Sequence, residues 1–206
     1  MDTISTMAEL AVPSLDQCIA GRVRDLRTAR RLSLDALAAK SGVSRSMISL
    51  IERGESSPTA VVLDKLATAL GVMLASLFDG PAAAGRPNGP VSRHDEQLQW
   101  QDPASGYRRR NISPAGLPQP MQIVDVHFPA GGRVAFETGT RDGRIHQQVW
   151  VLQGAIDVTV GTDRHRLREG DCLAMELDRP TVFHNPTRKP TRYAVVIVSE
   201  PGARRG

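Results

Sequence analysis

Residues 37–59 read LAAKSGVSRSMISLIERGESSPT, and this stretch decides the fold of the first third of the chain. Leu37, Ala38 and Ala39 end one apolar-periodic run at Gly42, and Ser44 opens another that sends Met47, Ile48 and Ile51 inward. A serine just before such a run caps the free amides of a helix's first turn. Gly42 can adopt the positive φ that a tight interhelical turn needs, and Ala38 lets the two helices approach closely. The second helix should then present its first turn to the outside, with Arg45, Ser46 and Ser49 on its polar side.

Helical spacing continues on both sides of this pair. Upstream, Ile19, Val23 and Leu26 form a stripe that ends near Arg31, and Ser33 can cap the helix carrying Leu34, Leu37 and Ala38. Downstream, Gly54 and the Ser56-Ser57-Pro58 turn precede Val61, Leu63, Leu66, Ala67 and Leu70, which Gly71 closes. A last turn holds Leu74, Leu77 and Phe78. Five helices in about sixty residues are expected. Residues 19–78 carry seven Arg and two Lys against five acids, so the +4 net charge of the chain falls here, as phosphate contact favours.

The string SGVSRSMISLIERGESSPT, followed by a leucine-bearing helix ending in LGV, resembles the helix-turn-helix domain of the XRE/lambda-repressor type over residues 18–78. The resemblance implies sequence-specific binding of double-stranded DNA. It places Arg45, Ser46 and Ser49 in the major groove and Ser33, Lys40 and Ser44 near phosphates. Arg53 joins them unless Glu52 engages it locally. One such domain reads only a few base pairs, so a homodimer on an inverted repeat is expected.

Residues 79–95, DGPAAAGRPNGPVSRHD, are dense in Gly and Pro with no period, which marks a linker. Residues 1–17 carry no period either and read as a flexible arm. Beyond the linker the period becomes that of strands, expected at 107–112, 121–128, 133–137, 147–152, 155–161, 165–167, 172–176, 181–185 and 193–199. Short strands separated by Gly, Pro and Asp turns imply a sandwich or barrel. The chain is therefore read as two-domain, all-α then all-β.

VWVLQGAIDVTVG and REGDCLAMELDRPTVFHNPT resemble a cupin, a small double-stranded β-helix or jelly-roll barrel, over residues 96–202. By that resemblance Gly154 sits in a hairpin, while Gly170, Asp171 and Asn185 lie at the second motif. Metal-bearing cupins would place ligands at Gln147, at Thr181 and in the segment Thr140–Gly143, and none of these positions holds His or a carboxylate suited to that role. Alternation instead sends Gln147, Val149 and Val151 inward and His146 outward. A metal-free pocket is expected, lined also by Thr181 and Phe183, with Arg133, Arg141 and Arg144 near its mouth to grip an anionic metabolite. Trp150 offers a stacking face if it points inward. An unconventional metal set such as His127 with His146 is the competing possibility.

Two cysteines, Cys18 and Cys172, support neither a disulfide framework nor a thiolate zinc site, and Cys172 is expected to pack as a small core residue. The N-terminal residues lack a basic n-region, and no apolar run reaches membrane-spanning length, which suggests a cytoplasmic protein. The expectation is a non-enzymatic regulator of transcription, without cofactor, whose barrel senses a small molecule and helps dimerisation. The alternative is a cupin-type metal-dependent enzyme with an accessory helix-turn-helix domain.

Overall fold

The structure is a computed structural model that describes residues 15–78, 89–114, 120–137 and 143–201. Most of the arm, residues 79–88 of the linker, the segment 138–142 and Arg141 lie outside the described residues.

Four α-helices occupy the first part: α1 (Leu15–Ala29), α2 (Leu34–Ser41), α3 (Arg45–Glu52) and α4 (Ala60–Ala69). Their starts follow the capping chemistry. Ser33, Ser44 and Thr59 have extended backbones, and their hydroxyls accept from Ala36, Met47 and Val62 amides. Gly42 ends α2 at φ +68°, which an L side chain resists. The helices number four rather than five, because Leu74–Phe78 forms a 3-10 turn. Only five residues long, it buries Ala75, Leu77 and Phe78 against its neighbours without room for α-type bonding. Leu15–Gln17, assigned to the arm by sequence, already belong to α1.

Among the described residues ten strands follow: β1 (Gln99–Gln101), β2 (Arg108–Asn111), β3 (Met121–Phe128), β4 (Arg133–Phe136), β5 (Gly143–Gln153), β6 (Ala155–Val160), β7 (Asp163–Arg168), β8 (Cys172–Glu176), β9 (Thr181–His184) and β10 (Thr191–Pro201). They make a six-stranded sheet, β1-β2-β3-β10-β5-β8, and a four-stranded sheet, β4-β9-β6-β7. Every pairing is antiparallel. β1 was not expected, since three residues are too few to show alternation.

The expected hairpin at Gly154 is instead a corner. β5 pairs with β10 and β8, while β6 pairs with β9 and β7. Gly154, at φ +85°, turns the chain from one sheet into the other. A Cβ there would lie 3.1 Å from Thr191 Oγ1 and 3.2 Å from the Pro190 carbonyl. Asn185 ties a second corner: its Nδ2 donates to the carbonyls of Pro129 (3.1 Å) and Lys189 (2.8 Å), and its Oδ1 accepts from Thr187.

One apolar core runs through both parts, from Ile19, Leu37 and Leu66 to Val149, Ile156 and Val195. Several contacts join the halves. The Ala60 amide donates to Asp102 Oδ1 at 2.9 Å, and the Phe78 and Trp100 rings lie 5.6 Å apart. The Arg109 guanidinium stacks 4.6 Å from the Phe78 ring centroid, and Lys65 pairs with Glu137 at 3.0 Å.

Two expectations about single residues fail. Cys172 is exposed, because β8 turns Leu173 and Met175 toward the core and the alternate residues away from it. Met47 is 36% exposed. It shares a flank with Ile51 but stands in the turn that projects beyond the bundle, where the core no longer reaches it. Among the described residues no helix is long and apolar enough to cross a membrane.

Candidate nucleic-acid interface and barrel cavity

The first exposed feature is the N-terminal turn of α3. Ile48, Ile51 and Glu52 face inward, which leaves Arg45 and Ser46 outside. The inward Glu52 carboxylate takes two bonds from Arg27, at 2.6 and 2.8 Å, and its carbonyl accepts from Arg24. This pairing locks α3 onto α1 and holds the outer turn at a set angle. Arg27 is held in its charged form chiefly by that bond to Glu52.

Around this turn the polar residues differ in how free they are. Arg45 pairs with Asp35 at 3.2 Å, but both side chains are largely exposed, so the pair holds it weakly. Ser44 and Ser33 spend their oxygens on capping; Ser44 also contacts Ser46 at 3.2 Å. Lys40 is exposed near the end of α2. Arg53 is engaged locally, though by Glu55 (2.7 and 2.8 Å) rather than Glu52, and it also donates to the Ser49 hydroxyl. Free amides at the start of α3 and the exposed cations beside them favour an anion such as phosphate.

The second feature is a cavity of about 110 Å³ between the two sheets, at the end nearest the helical part. Strand alternation builds it: β5 turns Ile145 and Gln147 inward, β10 turns Tyr193, Val195 and Ile197, and β9 turns Thr181 and Phe183. Gln147, Thr181 and Phe183 are thus brought together at its wall. Val149 and Val151, on the same face, are fully buried in the core away from the described lining. Arg144 and Arg133 are exposed and do not line it; Arg144 sits one residue out of phase with Ile145 and lies opposite Glu200 on β10. Trp150 points outward at 50% exposure.

Sequence reasoning missed the other contributors. Tyr107 and Arg109 reach the cavity from β2 and its approach, where the parity of YRRRN is the single clue. Asp64, Met73 and Leu74 reach it from the helical part, and no sequence signal announces that. Burial among these groups pushes the Tyr107 hydroxyl up to about 12, so it remains a neutral donor.

The histidines stay apart from the cavity. His127 and His146 lie opposite Arg192 and Val198 of β10, six positions apart, which is roughly 20 Å along a strand. His146 stands between Glu176 (3.8 Å) and Glu200 (3.6 Å) on the outer face. His127 approaches Asp125 at 3.6 Å, yet burial, partly offset by Asp125, leaves its pKa lowered, so the contact is mostly that of a neutral ring. Among the described residues no group of three or more His, Cys, Asp or Glu is arranged to hold a metal.

Residues 23–77 match the helix-turn-helix family HTH_3. Over 187 residues the chain is 29% identical to the HTH-type transcriptional regulator SutR of Escherichia coli (strain K12), covering 89% of this chain and 96% of that protein. The crystal structure of an HTH_3 family transcriptional regulator from Vibrio cholerae superposes with a TM-score of 0.71 at 23% identity, over 89% of this chain and 96% of that one. Hydroxypropylphosphonic acid epoxidase from S. wedmorenis gives a TM-score of 0.45 at 18% identity, over 89% and 97% of the two chains, too low to bear on chemistry.

Proposed function

We propose that this chain, with its helix-turn-helix domain at residues 23–77, is a DNA-binding transcriptional regulator whose cupin-like barrel senses a small molecule and helps two copies pair. The observation that carries the reading is the projecting, serine-capped first turn of α3, in a domain with an excess of cations. Arg45, Ser46 and Ser49 are assigned to base edges, and Ser33, Ser44 and Lys40 to the backbone. Arg53, already paired with Glu55, is assigned a phosphate contact that competes with that pair. The name of the Escherichia coli relative and the whole-length likeness to the Vibrio cholerae regulator support the assignment.

Sensing is inferred from the barrel cavity, whose apolar wall and few polar groups suit a small organic ligand. A ligand acts on the reading heads only if it binds one arrangement of the dimer better than another. A ten- to hundredfold change in operator affinity requires a coupling of about 1.4–3 kcal/mol.

Genome-wide mapping of DNA bound by the full chain, followed by gel shifts on the recovered sites, tests the proposal. Discrete inverted-repeat sites that the Arg45→Ala variant no longer occupies are expected. Uniform, salt-sensitive binding without preferred sites would refute it. Metal analysis of the same preparation addresses the enzymatic alternative: stoichiometric iron, manganese or nickel would favour that alternative instead.

A further inference from the structure

The cavity is lined by residues of both parts of the chain. Its wall comes from the strands, and its roof from Asp64 on α4 and from Met73 and Leu74 at the 3-10 turn. A ligand inside therefore touches the DNA-reading half directly.

Its chemistry narrows the ligand. Gln147 is only 8% exposed, lines the cavity, and pairs its amide with no described group. Facing the cavity, this amide offers a donor and an acceptor side by side to whatever fills it. Thr181 Oγ1 donates to the Arg179 carbonyl at 3.2 Å, so toward a ligand it offers lone pairs alone. The charged lining balances: Asp64 and Glu137 stand against Arg109 and Arg179. Glu137 is paired with Lys65, Arg179 with Asp178, and Arg109 stacks on Phe78. An ionic ligand would lose its water among apolar groups and upset that balance. The volume, about 110 Å³, is below the roughly 150 Å³ of an apolar cavity that accepts benzene.

Resting on the reading of the barrel as a sensor, we propose that the cavity binds an uncharged carboxamide or lactam no larger than benzene, with an apolar body of about three carbons. Gln147 holds the head group, and Met73 and Leu74 cover the body, so that loading clamps the helical domain onto the barrel. The clamp has a packed route into the barrel: the Phe78, Trp100, Tyr107, Phe128 and Tyr193 rings follow at centroid spacings of 5.6, 5.8, 5.6 and 6.3 Å.

The test uses the full chain carrying Trp150→Phe, which leaves the interdomain Trp100 as its one indole. γ-Butyrolactam, isobutyramide and the anion isobutyrate are titrated by calorimetry and Trp100 fluorescence, without DNA. The amides are expected to bind and change the Trp100 signal, with isobutyrate at least about tenfold weaker. Gln147→Leu should weaken the amides about tenfold. Met73→Ala and Leu74→Ala, both outside the barrel, should each weaken them several-fold while the circular dichroism stays unchanged. No binding of either amide at millimolar concentration, or tighter binding of isobutyrate, overturns the ligand class. Unchanged amide affinity in both roof variants overturns the clamp. Because these measurements omit DNA, a failure of operator binding would refute the regulator reading separately.

Discussion

Replacing Asp102 by Ala should loosen the helical part from the sheets without removing an apolar side chain from the shared core. Asp102 is 2% exposed; one carboxylate oxygen accepts the Ala60 amide at 2.9 Å, and the other accepts the Ser105 amide at 2.9 Å. Ala60 is the first residue of α4, so a barrel residue supplies an anion to the start of a helix in the other domain. Loss of a charge-assisted bond to a buried amide costs about 1.5–3 kcal/mol. Loss of the favourable charge at the helix start adds up to about 1 kcal/mol. The total, about 2–4 kcal/mol, falls on domain docking. With a urea dependence of about 2–3 kcal/mol per molar for a chain this size, the unfolding midpoint reported by Trp100 should drop by about 1 M. The measurement is urea denaturation in the Trp150→Phe background, comparing Trp100 fluorescence with helical circular dichroism. The two signals should coincide in the parent and separate in the Asp102→Ala variant, fluorescence moving first. Asp102→Asn, which keeps an acceptor but loses the charge, should fall between. Superimposable curves for all three would show that the bond does not hold the domains together.

Arg45→Ala should leave the melting temperature unchanged, because its exposed pair with Asp35 contributes little, while lowering operator affinity about tenfold or more in a gel shift. Equal affinity would remove Arg45 from the interface. Gly154→Ala should destabilise the barrel by about 1–3 kcal/mol, read as a lower urea midpoint, since the positive φ and the contact with Thr191 both resist a side chain. Stability should also fall in acid. Burial opposes ionisation of Asp125, but bonds from Arg192 and Arg110 outweigh it and hold its pKa below the usual carboxylate range. The stabilisation is therefore complete above the unfolded carboxylate value of about 3.9 and disappears as pH falls through the lower folded value. His127, lowered mainly by burial, works in the same direction: its contribution is present above the unfolded value of about 6.5 and declines below it. Melting temperature against pH should show both steps, and Asp125→Asn should flatten the lower one and enlarge the upper one, since the carboxylate that offsets the burial of His127 is gone.

The sequence by itself determined what depends on neighbours within a few residues. Ser33 and Ser44 mark helix starts, Gly42 marks a turn, and the switch from a period near four to a period of two marks the passage from helices to strands. The inward parity of Gln147 and the outward parity of His146 follow from the same local rule. These signals work because capping, positive φ and alternation are decided within one turn or one strand.

What only the tertiary structure decided is who meets whom across long separations. Gly154 announces a reversal, yet whether β6 returns along β5 or leaves for the other sheet depends on distant strands: β10 takes β5 and β9 takes β6. Glu52 and Arg53 are adjacent, but Glu52 turns to Arg27 in α1 because inward burial demands a partner there, and Arg53 turns to Glu55. The linker composition suggested two loosely joined bodies, whereas Asp102, Trp100 and Arg109 bind α4 and the 3-10 turn over the barrel mouth. Burial of apolar surface is non-directional, so the pattern specifies that a face is covered but not by what. The choice of Met73 and Leu74 as that cover exists in the packed molecule alone.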